Sequence, residues 1–193
     1  MYDILSGSVK MNSILGTPLI EVSHELLPEW ERWAKKAFDY LVGAIGILLF
    51  SPIYLFTALM VKLSSSGSIL YKQERIGLHG KPFYIYKFRS MKLDAEKDGP
   101  QLSSKTDSRI TSWGRFMRKT RLDETPQLFN VLKGDMSFVG PRPERQFYAE
   151  QLISKAPHYR HLYKVKPGIT SWGMVKFGYA ENVEQMVQRM KYD

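Results

Sequence analysis

The sequence predicts an α+β protein that is dominated by helices, carries a small antiparallel β-hairpin and is anchored in a membrane. A run of 22 residues from Tyr40 to Val61 contains no charge. Two strand-like segments, 68–73 and 83–89, are separated by the turn residues Gly77 and Gly80. Helix start and stop signals then recur through the second half of the chain.

The uncharged run is long enough for a membrane span but is interrupted near its middle. A straight helix of this length would reach about 33 Å, against about 30 Å for a hydrocarbon core. Pro52 has no N–H and crowds the carbonyl of Leu48, and the preceding Ser51 hydroxyl can turn back onto the opened turn. We therefore predict a re-entrant helix hairpin, broken at Ser51 and Pro52, whose arms each reach about the midplane.

Basic residues flank both ends of this run, which supports the hairpin. They are Arg32, Lys35 and Lys36 on one side and Lys62, Lys72 and Arg75 on the other. A spanning helix usually has its basic excess on the cytoplasmic side alone, so both ends are expected to be cytoplasmic. A proline-kinked transmembrane helix remains the alternative on these residues.

The composition limits the classes of partner and of chemistry. The chain has 28 Lys and Arg against 19 Asp and Glu, a net charge of +9, which implies an anionic partner. The apolar run favours lipid headgroups or a phosphorylated substrate over nucleic acid, because the aromatic residues near the basic ones lie mostly beside that run. The absence of cysteine excludes disulfides and thiolate nucleophiles.

Three regions are expected along the chain. Residues 1–24 are interpreted as a linker with at most a short strand. Residues 25–63 form the interfacial and re-entrant helix, in which Trp30 and Trp33 suit the membrane–water boundary. Residues 64–193 form one cytosolic domain. Helices are expected at about 111–121, from Pro126, with Thr125 as the N-cap, to Gly134, at about 144–155 and from about 181.

Asp123 and Glu124 are the strongest candidates for chemistry. They lie among the cations Arg118, Lys119 and Arg121, just before a short helix. A carboxylate that attacks a phosphoryl group meets repulsion of about 4 kcal/mol per charge pair at about 4 Å and an effective dielectric near 20. Cations or Mg²⁺ could offset it, and an aspartyl-phosphate is an established covalent intermediate. Alternatively, the two carboxylates only complement the helix dipole.

Other segments could hold anions or a nucleobase. Arg142, between Pro141 and Pro143 before a helix, could bind an anion or simply belong to a tight turn. Lys87 and Arg89 would share one face of the second strand, aimed at phosphate or exposed to solvent. Trp172 in the segment 166–172 could form a base or substrate wall or pack inside a turn.

Taken in order, these pieces resemble the bacterial sugar transferase family, the monotopic polyprenyl-phosphate phosphoglycosyl transferases. The resemblance covers about residues 30–175. It rests on Ser51-Pro52 and on the segments 86–91 (YKFRSM), 122–128 (LDETPQL), 130–137 (NVLKGDMS), 139–143 (VGPRP) and 166–170 (KPGIT).

The resemblance implies transfer of a sugar-1-phosphate from a nucleotide diphosphate sugar, expected to be a UDP-sugar, to polyprenyl (undecaprenyl) phosphate. Mg²⁺ would assist and a nucleoside monophosphate would leave. It makes Asp123 the nucleophile and Glu124 its acidic partner, both at the metal, and Lys87, Arg118 and Arg142 the phosphate-binding cations. It also implies the cytoplasmic face of a bacterial inner membrane and the first membrane step of exopolysaccharide, capsule, O-antigen or glycoconjugate synthesis.

The chain departs from the family pattern at one point. Residues 171–174 read Ser-Trp-Gly-Met where members often have Gly-Trp-Ala-Gln, so the donor sugar is not predicted. The chain is expected to be the catalytic part of a longer member. A non-catalytic, membrane-anchored module that binds anionic lipid or nucleotide is the alternative function.

Overall fold

The structure, a computed structural model, describes residues 9–14, 17–22, 28–95, 99, 101 and 107–193. The strands are β1 (Val9–Ile14), β2 (Thr17–Val22), β3 (Leu70–Ile76), β4 (Pro82–Phe88), β5 (Ser137–Val139) and β6 (Gly168–Thr170). The α-helices are α1 (Glu29–Ser64), α2 (Ser112–Thr120), α3 (Gln127–Lys133), α4 (Gln146–Lys155), α5 (Trp172–Lys176) and α6 (Val183–Met190). Three 3-10 helices lie at Leu78–Gly80, Leu122–Glu124 and Pro157–Lys164. The predicted helix-dominated α+β class is confirmed.

The helix α1 runs without interruption through Pro52, so the predicted break is not seen in the secondary structure. Residue 52 would normally donate to the carbonyl of Leu48, and proline cannot. Ser51 Oγ donates to that carbonyl at 2.8 Å instead. The serine thus supplies the donor that the proline lacks, and the helix continues past it.

By length and composition, α1 is the helix that could cross a membrane among the described residues. Only 11% of its apolar 18-residue window is buried in the protein. The six residues from Leu48 to Ile53 are exposed on every side, including Phe50, whereas single residues such as Gly43 and Thr57 are buried on either side of them. The middle of α1 therefore lies away from the rest of the protein.

Both arms of α1 pack against the same folded unit. Near the start, Lys35 Nζ donates to the carbonyl of Val139 at 3.1 Å. Beyond Pro52, Tyr54 Oη donates to the carbonyl of Thr125 at 3.0 Å, and Val61 is buried among apolar side chains of the domain. The helix lies along the domain rather than projecting from it by one end.

Among the described residues, the strands form three two-stranded sheets. Strands β3 and β4 form the predicted antiparallel hairpin, in which Tyr71 pairs with Lys87. Strands β5 and β6 pair in parallel. Strands β1 and β2 form an antiparallel hairpin in the region where the sequence suggested at most one short strand.

The helix signals in the sequence were mostly correct. Thr111 caps α2, since its Oγ1 accepts from the N–H of Gly114 at 2.9 Å. Gly134, in the left-handed region with φ +89°, ends α3 as predicted. The start of α3 is one residue later than expected, because Thr125 Oγ1 donates to the carbonyl of Leu122 instead of capping the helix.

Candidate active site

Asp123 and Glu124 lie in the 3-10 turn that follows α2, and both are buried. Arg121, between the helix and the turn, adopts the left-handed conformation with φ +62°. This conformation is costly for a residue with a side chain and persists only where the surrounding structure requires it. Here it ends α2 and leads directly into the turn in which the two carboxylates are buried.

Three cations hold Glu124 and form with it the Glu124 cluster, and two of them come from distant parts of the sequence. Its Oε1 lies 2.8 Å from Lys87 Nζ and 3.0 Å from Arg142 Nη2, and its Oε2 lies 3.6 Å from Arg121 Nη1. Burial alone would raise the pKa of Glu124, but Arg142 and Lys87 outweigh it and hold that pKa well below the usual range. Glu124 is therefore a permanently ionised anchor at neutral pH.

The pKa values of Lys87 and Arg142, the two main partners of Glu124, shift in opposite directions. Burial lowers the pKa of Lys87, and Glu124 offsets this effect only in part. For Arg142, the attraction of Glu124 and Glu144 outweighs the burial cost and raises the pKa above its ordinary value. Arg142 therefore stays charged under all ordinary conditions, as an arginine suited to phosphate does.

Asp123 has the opposite environment to its neighbour. Its Oδ1 is buried, and no described residue donates a hydrogen bond to it. Burial raises its pKa, with Lys87 and Arg118 pulling in the other direction and Glu124 adding to the rise. A buried carboxylate oxygen without a donor is costly, so it marks a group whose partner comes from elsewhere.

These side chains line a cavity of about 360 Å³, the active-site cavity, beside strands β3 and β4. Its lining includes all five residues that the sequence singled out as catalytic or phosphate-binding: Lys87, Arg118, Asp123, Glu124 and Arg142. It also includes Tyr71, Gln73, Arg75, Arg89, Ser90, Glu144, Tyr148, Tyr179 and Arg189.

A third buried carboxylate of the cavity, Glu144, was not predicted. Its Oε1 accepts from Arg189 Nη2 at 2.6 Å, and its Oε2 lies 3.3 Å from Arg75 Nη1. Burial lowers the pKa of Arg75 to about 10 despite this pairing. The position of Glu144, two residues after Arg142, was the available signal; nothing local in the sequence indicated that Arg189 of α6 reaches it.

Tyr179 was also missed. Its Oη accepts from Arg121 Nη1 at 2.5 Å, and the guanidinium lies 4.4 Å from the centre of its ring. Burial raises the pKa of Tyr179, so it is a neutral phenol at the cavity wall. Tyr179 therefore holds Arg121 in place, and Arg121 is the cation of the Glu124 cluster that is substantially exposed.

Trp172 does not line the cavity, which argues against the base wall that the sequence suggested for it. Its side chain is exposed, and Lys176 Nζ lies 5.0 Å above its ring. Ser171, just before it, instead caps the short helix α5 by accepting from the N–H of Met174 at 3.0 Å.

The chain is similar to a known protein family and to several curated proteins. Residues 30–193 match the family model described as bacterial sugar transferase. A UDP-N-acetylgalactosamine-undecaprenyl-phosphate N-acetylgalactosaminephosphotransferase from Aeromonas hydrophila is 40% identical over 192 residues, which cover 99% of this chain and 44% of the relative.

Two further relatives have similar identity to this chain, and both are named UDP-glucose:undecaprenyl-phosphate glucose-1-phosphate transferase. The Escherichia coli K12 protein is 38% identical over 186 residues, which cover 95% of this chain and 40% of the relative. The Caulobacter vibrioides protein is 39% identical over 182 residues, covering 92% and 65%. The chain spans about two fifths of the length of the Aeromonas and Escherichia relatives.

The match to the family model extends over most of the sequence, through α1, the β3–β4 hairpin and every element that contributes to the cavity. This chain belongs to the bacterial sugar transferase family.

Proposed function

We propose that this chain transfers a sugar-1-phosphate from a UDP-sugar to undecaprenyl phosphate, as the names of its relatives state for those proteins. The observation that carries the proposal is the contrast between two adjacent carboxylates. Glu124 is neutralised by Lys87 and Arg142, whereas Asp123 Oδ1 is buried without a donor among the described residues. That contrast suits an anchor next to a nucleophile.

In the first step, a carboxylate oxygen of Asp123 attacks the phosphorus that bears the sugar. The new Asp–O–P bond forms as the anhydride P–O bond to the nucleoside phosphate breaks, and UMP leaves with that electron pair. Lys87, Arg118 and Arg142 supply the positive charge that lets one anion approach another.

In the second step, a phosphate oxygen of undecaprenyl phosphate attacks the same phosphorus. The bond from Asp123 to phosphorus breaks, the carboxylate is regenerated and the sugar is left on a lipid diphosphate. One phosphoanhydride has been exchanged for another, so the protein needs positioning and charge neutralisation but no energy source.

Mg²⁺ fits these residues as an ion shared with substrate. The described residues contain no group of three or more His, Asp and Glu side chains that would form a complete metal site. Mg²⁺ commonly takes one or two carboxylates and completes its shell with substrate phosphates and water. Asp123 and Glu124 would hold it, and when bound it would neutralise charge on the donor diphosphate.

We further propose that α1 enters and leaves the membrane on the same, cytoplasmic face of a bacterial inner membrane. Lys35, before the apolar run, and Val61, at its end, both contact the same folded unit. If α1 stood across the bilayer, that charged unit would have to lie in hydrocarbon beside it, which is prohibitive for its many ionised groups. A helix whose exposed Leu48–Ile53 segment dips into one leaflet avoids this cost.

The two-step route is tested with the donor alone. Purified protein, kept in detergent or nanodiscs, is incubated with a panel of UDP-sugars labelled in the sugar phosphate. We expect UMP release and a labelled protein before any lipid is added, and neither from Asp123→Asn. Turnover by the wild type without any labelled protein would support direct attack by the lipid phosphate. No turnover with any donor, combined with binding of anionic lipid, would favour a non-catalytic anchor module.

A further inference from the structure

We propose that Arg89 and Ser90, together with Arg118, form a phosphomonoester subsite separate from the Glu124 cluster, and that it receives the phosphate of the polyprenyl phosphate acceptor. This inference rests on the proposed function, whose acceptor it places in the cavity. The ligand is recognised as a dianionic phosphate attached to an apolar chain.

Arg89 is the first observation. Its side chain is more than nine-tenths buried and lines the active-site cavity. Nη2 donates to the carbonyl of Ser65 at 2.7 Å, but Nε and Nη1 have no acceptor among the described residues. A buried charged group that leaves donors unpaired is costly. Nε and Nη1 lie on different edges of the planar guanidinium fork, and a phosphate, which offers several acceptor oxygens, is a ligand that can accept from such donors.

The chain is shaped around this guanidinium. Gly67 has φ +115°, and a Cβ placed on it would lie 2.2 Å from Arg89 Nη1. A side chain at residue 67 would therefore displace the guanidinium or be displaced by it. The positive φ and the missing side chain together leave room for a charged group whose donors are only partly used.

Ser90 and Arg118 extend the subsite toward the nucleophile. Ser90 is buried at the cavity wall, and its Oγ accepts from Arg118 Nε at 3.0 Å. The hydroxyl hydrogen of Ser90 can then point to a phosphate oxygen. Ser90, Arg118 and Asp123 all line the active-site cavity. A phosphate held here would share that cavity with the residue that carries the phosphosugar.

The location favours the lipid substrate over the nucleotide. Ser65, which Arg89 contacts, is the C-terminal cap of the membrane helix α1. Exposed apolar side chains surround that turn, among them Leu63 and Leu93. An apolar chain leaving the subsite would reach the bilayer over this surface. Lys87 and Arg142, which already share Glu124, remain for the donor diphosphate.

The test separates the two half-reactions. Arg89→Lys keeps the charge but loses the fork, Arg89→Gln loses both, and Arg160→Gln is the matched control, because Arg160 is exposed and outside the cavity lining. Each full-length protein is first incubated with UDP-sugar alone and then chased with undecaprenyl phosphate. In the incubation with UDP-sugar alone, we expect both Arg89 variants and the control to show near wild-type labelling and UMP release.

In the chase, the KM for undecaprenyl phosphate should rise by about tenfold or more in both Arg89 variants, with the KM for the UDP-sugar nearly unchanged. The control should match the wild type. Inorganic phosphate is added as a competitor while undecaprenyl phosphate discharges the labelled enzyme. If the subsite takes the lipid, competition by inorganic phosphate is weak in the wild type and is weakened further in the Arg89 variants.

Three outcomes overturn the inference. The Arg89 variants could keep the wild-type KM for the lipid, or both half-reactions could fall equally in a folded variant, or inorganic phosphate could compete equally in all proteins. If thermal unfolding shows that Arg89→Gln is not folded, Arg89→Lys and Ser90→Ala provide the same comparison. A wild type that never becomes labelled refutes the covalent route itself, and is thereby distinct from failure of this subsite.

Discussion

Tyr54 of α1 donates a hydrogen bond of 3.0 Å to the backbone carbonyl of Thr125, the residue that directly follows Glu124. The same tyrosine ring packs edge-on against Phe88 at 5.9 Å, one residue after Lys87. One side chain of α1 therefore contacts two of the three segments that supply the Glu124 cluster. Tyr54 therefore connects α1 directly to the turn that carries Asp123 and Glu124.

Tyr54→Phe should weaken this connection without removing the aromatic packing. We expect a loss of about 1 kcal/mol in stability, because the carbonyl of Thr125 loses its donor in a partly buried site. Donor-only UMP release should slow severalfold, as the catalytic turn becomes less well positioned. Tyr192→Phe, at an exposed tyrosine, is the control for both assays. If Tyr54→Phe and Tyr192→Phe have the same stability and the same rate of UMP release, the hydrogen bond from Tyr54 does not position the catalytic turn.

Asp123→Asn and Glu124→Gln should both be inactive, but they should differ in stability. Glu124→Gln leaves Lys87 and Arg142 buried without their counter-charge, and we expect it to cost about 3 kcal/mol or more. Asp123→Asn removes a charge that the folded protein disfavours, so its unfolding midpoint should equal or exceed that of the wild type. Chemical unfolding at neutral pH measures both. Comparable destabilisation by the two changes would contradict the assignment of anchor and nucleophile.

The two carboxylates should also give opposite pH dependences. The pKa of Glu124 is lower in the folded protein than in the unfolded chain, so its contribution to stability is present above the unfolded pKa and is lost as pH falls through the folded value. The pKa of Asp123 is raised by burial, so its contribution is present below the unfolded pKa and is lost as pH rises through the folded value.

The stability advantage of Asp123→Asn over the wild type should therefore appear only as pH rises, whereas the penalty of Glu124→Gln should disappear in strong acid. The acid limb of donor-only labelling should lie above that expected for an ordinary aspartate, because the attacking oxygen must be ionised. Unfolding midpoints and labelling rates across a pH series test this. An advantage of Asp123→Asn that is independent of pH would exclude the raised pKa.

The membrane helix offers a topology test, helped by the absence of cysteine from the chain. Single cysteines at positions 36 and 62 should react with an impermeant reagent from the same side of inverted vesicles. Pro52→Ala restores the missing N–H and removes the ring clash, so some molecules should adopt a spanning form that protects one position. Opposite-side reactivity in the otherwise native chain would defeat the re-entrant arrangement.

Ser51→Ala should act differently from Pro52→Ala. Without the hydroxyl, the carbonyl of Leu48 has no donor in an apolar environment, which we expect to cost about 1–3 kcal/mol. The helix should then open at this point, and the protein should be extracted from vesicles at a lower detergent concentration than the wild type. Ser64→Ala, a serine at the end of α1, is the control.

Local features of this protein followed from its sequence. The apolar helix, the β3–β4 hairpin, the helix near residues 111–121 and the stop at Gly134 depend on hydrophobic length, alternation and short-range backbone chemistry, which act between near neighbours in the chain. Asp123 and Glu124 could be identified as candidates from the sequence for the same reason, because they are adjacent carboxylates among nearby cations. The β1–β2 hairpin was missed because its weak alternation resembles a linker.

Tertiary structure alone decided which carboxylate is the anchor. Glu124 lies 37 residues from Lys87 and 18 from Arg142 in the chain, and only folding brings their charges within 3.0 Å. The pairing of Glu144 with Arg189, 45 residues away, arises in the same way. Coulomb energy and desolvation depend on distances and burial that sequence spacing does not encode. Neighbouring, chemically similar residues therefore acquired opposite pKa shifts only when the fold surrounded them differently.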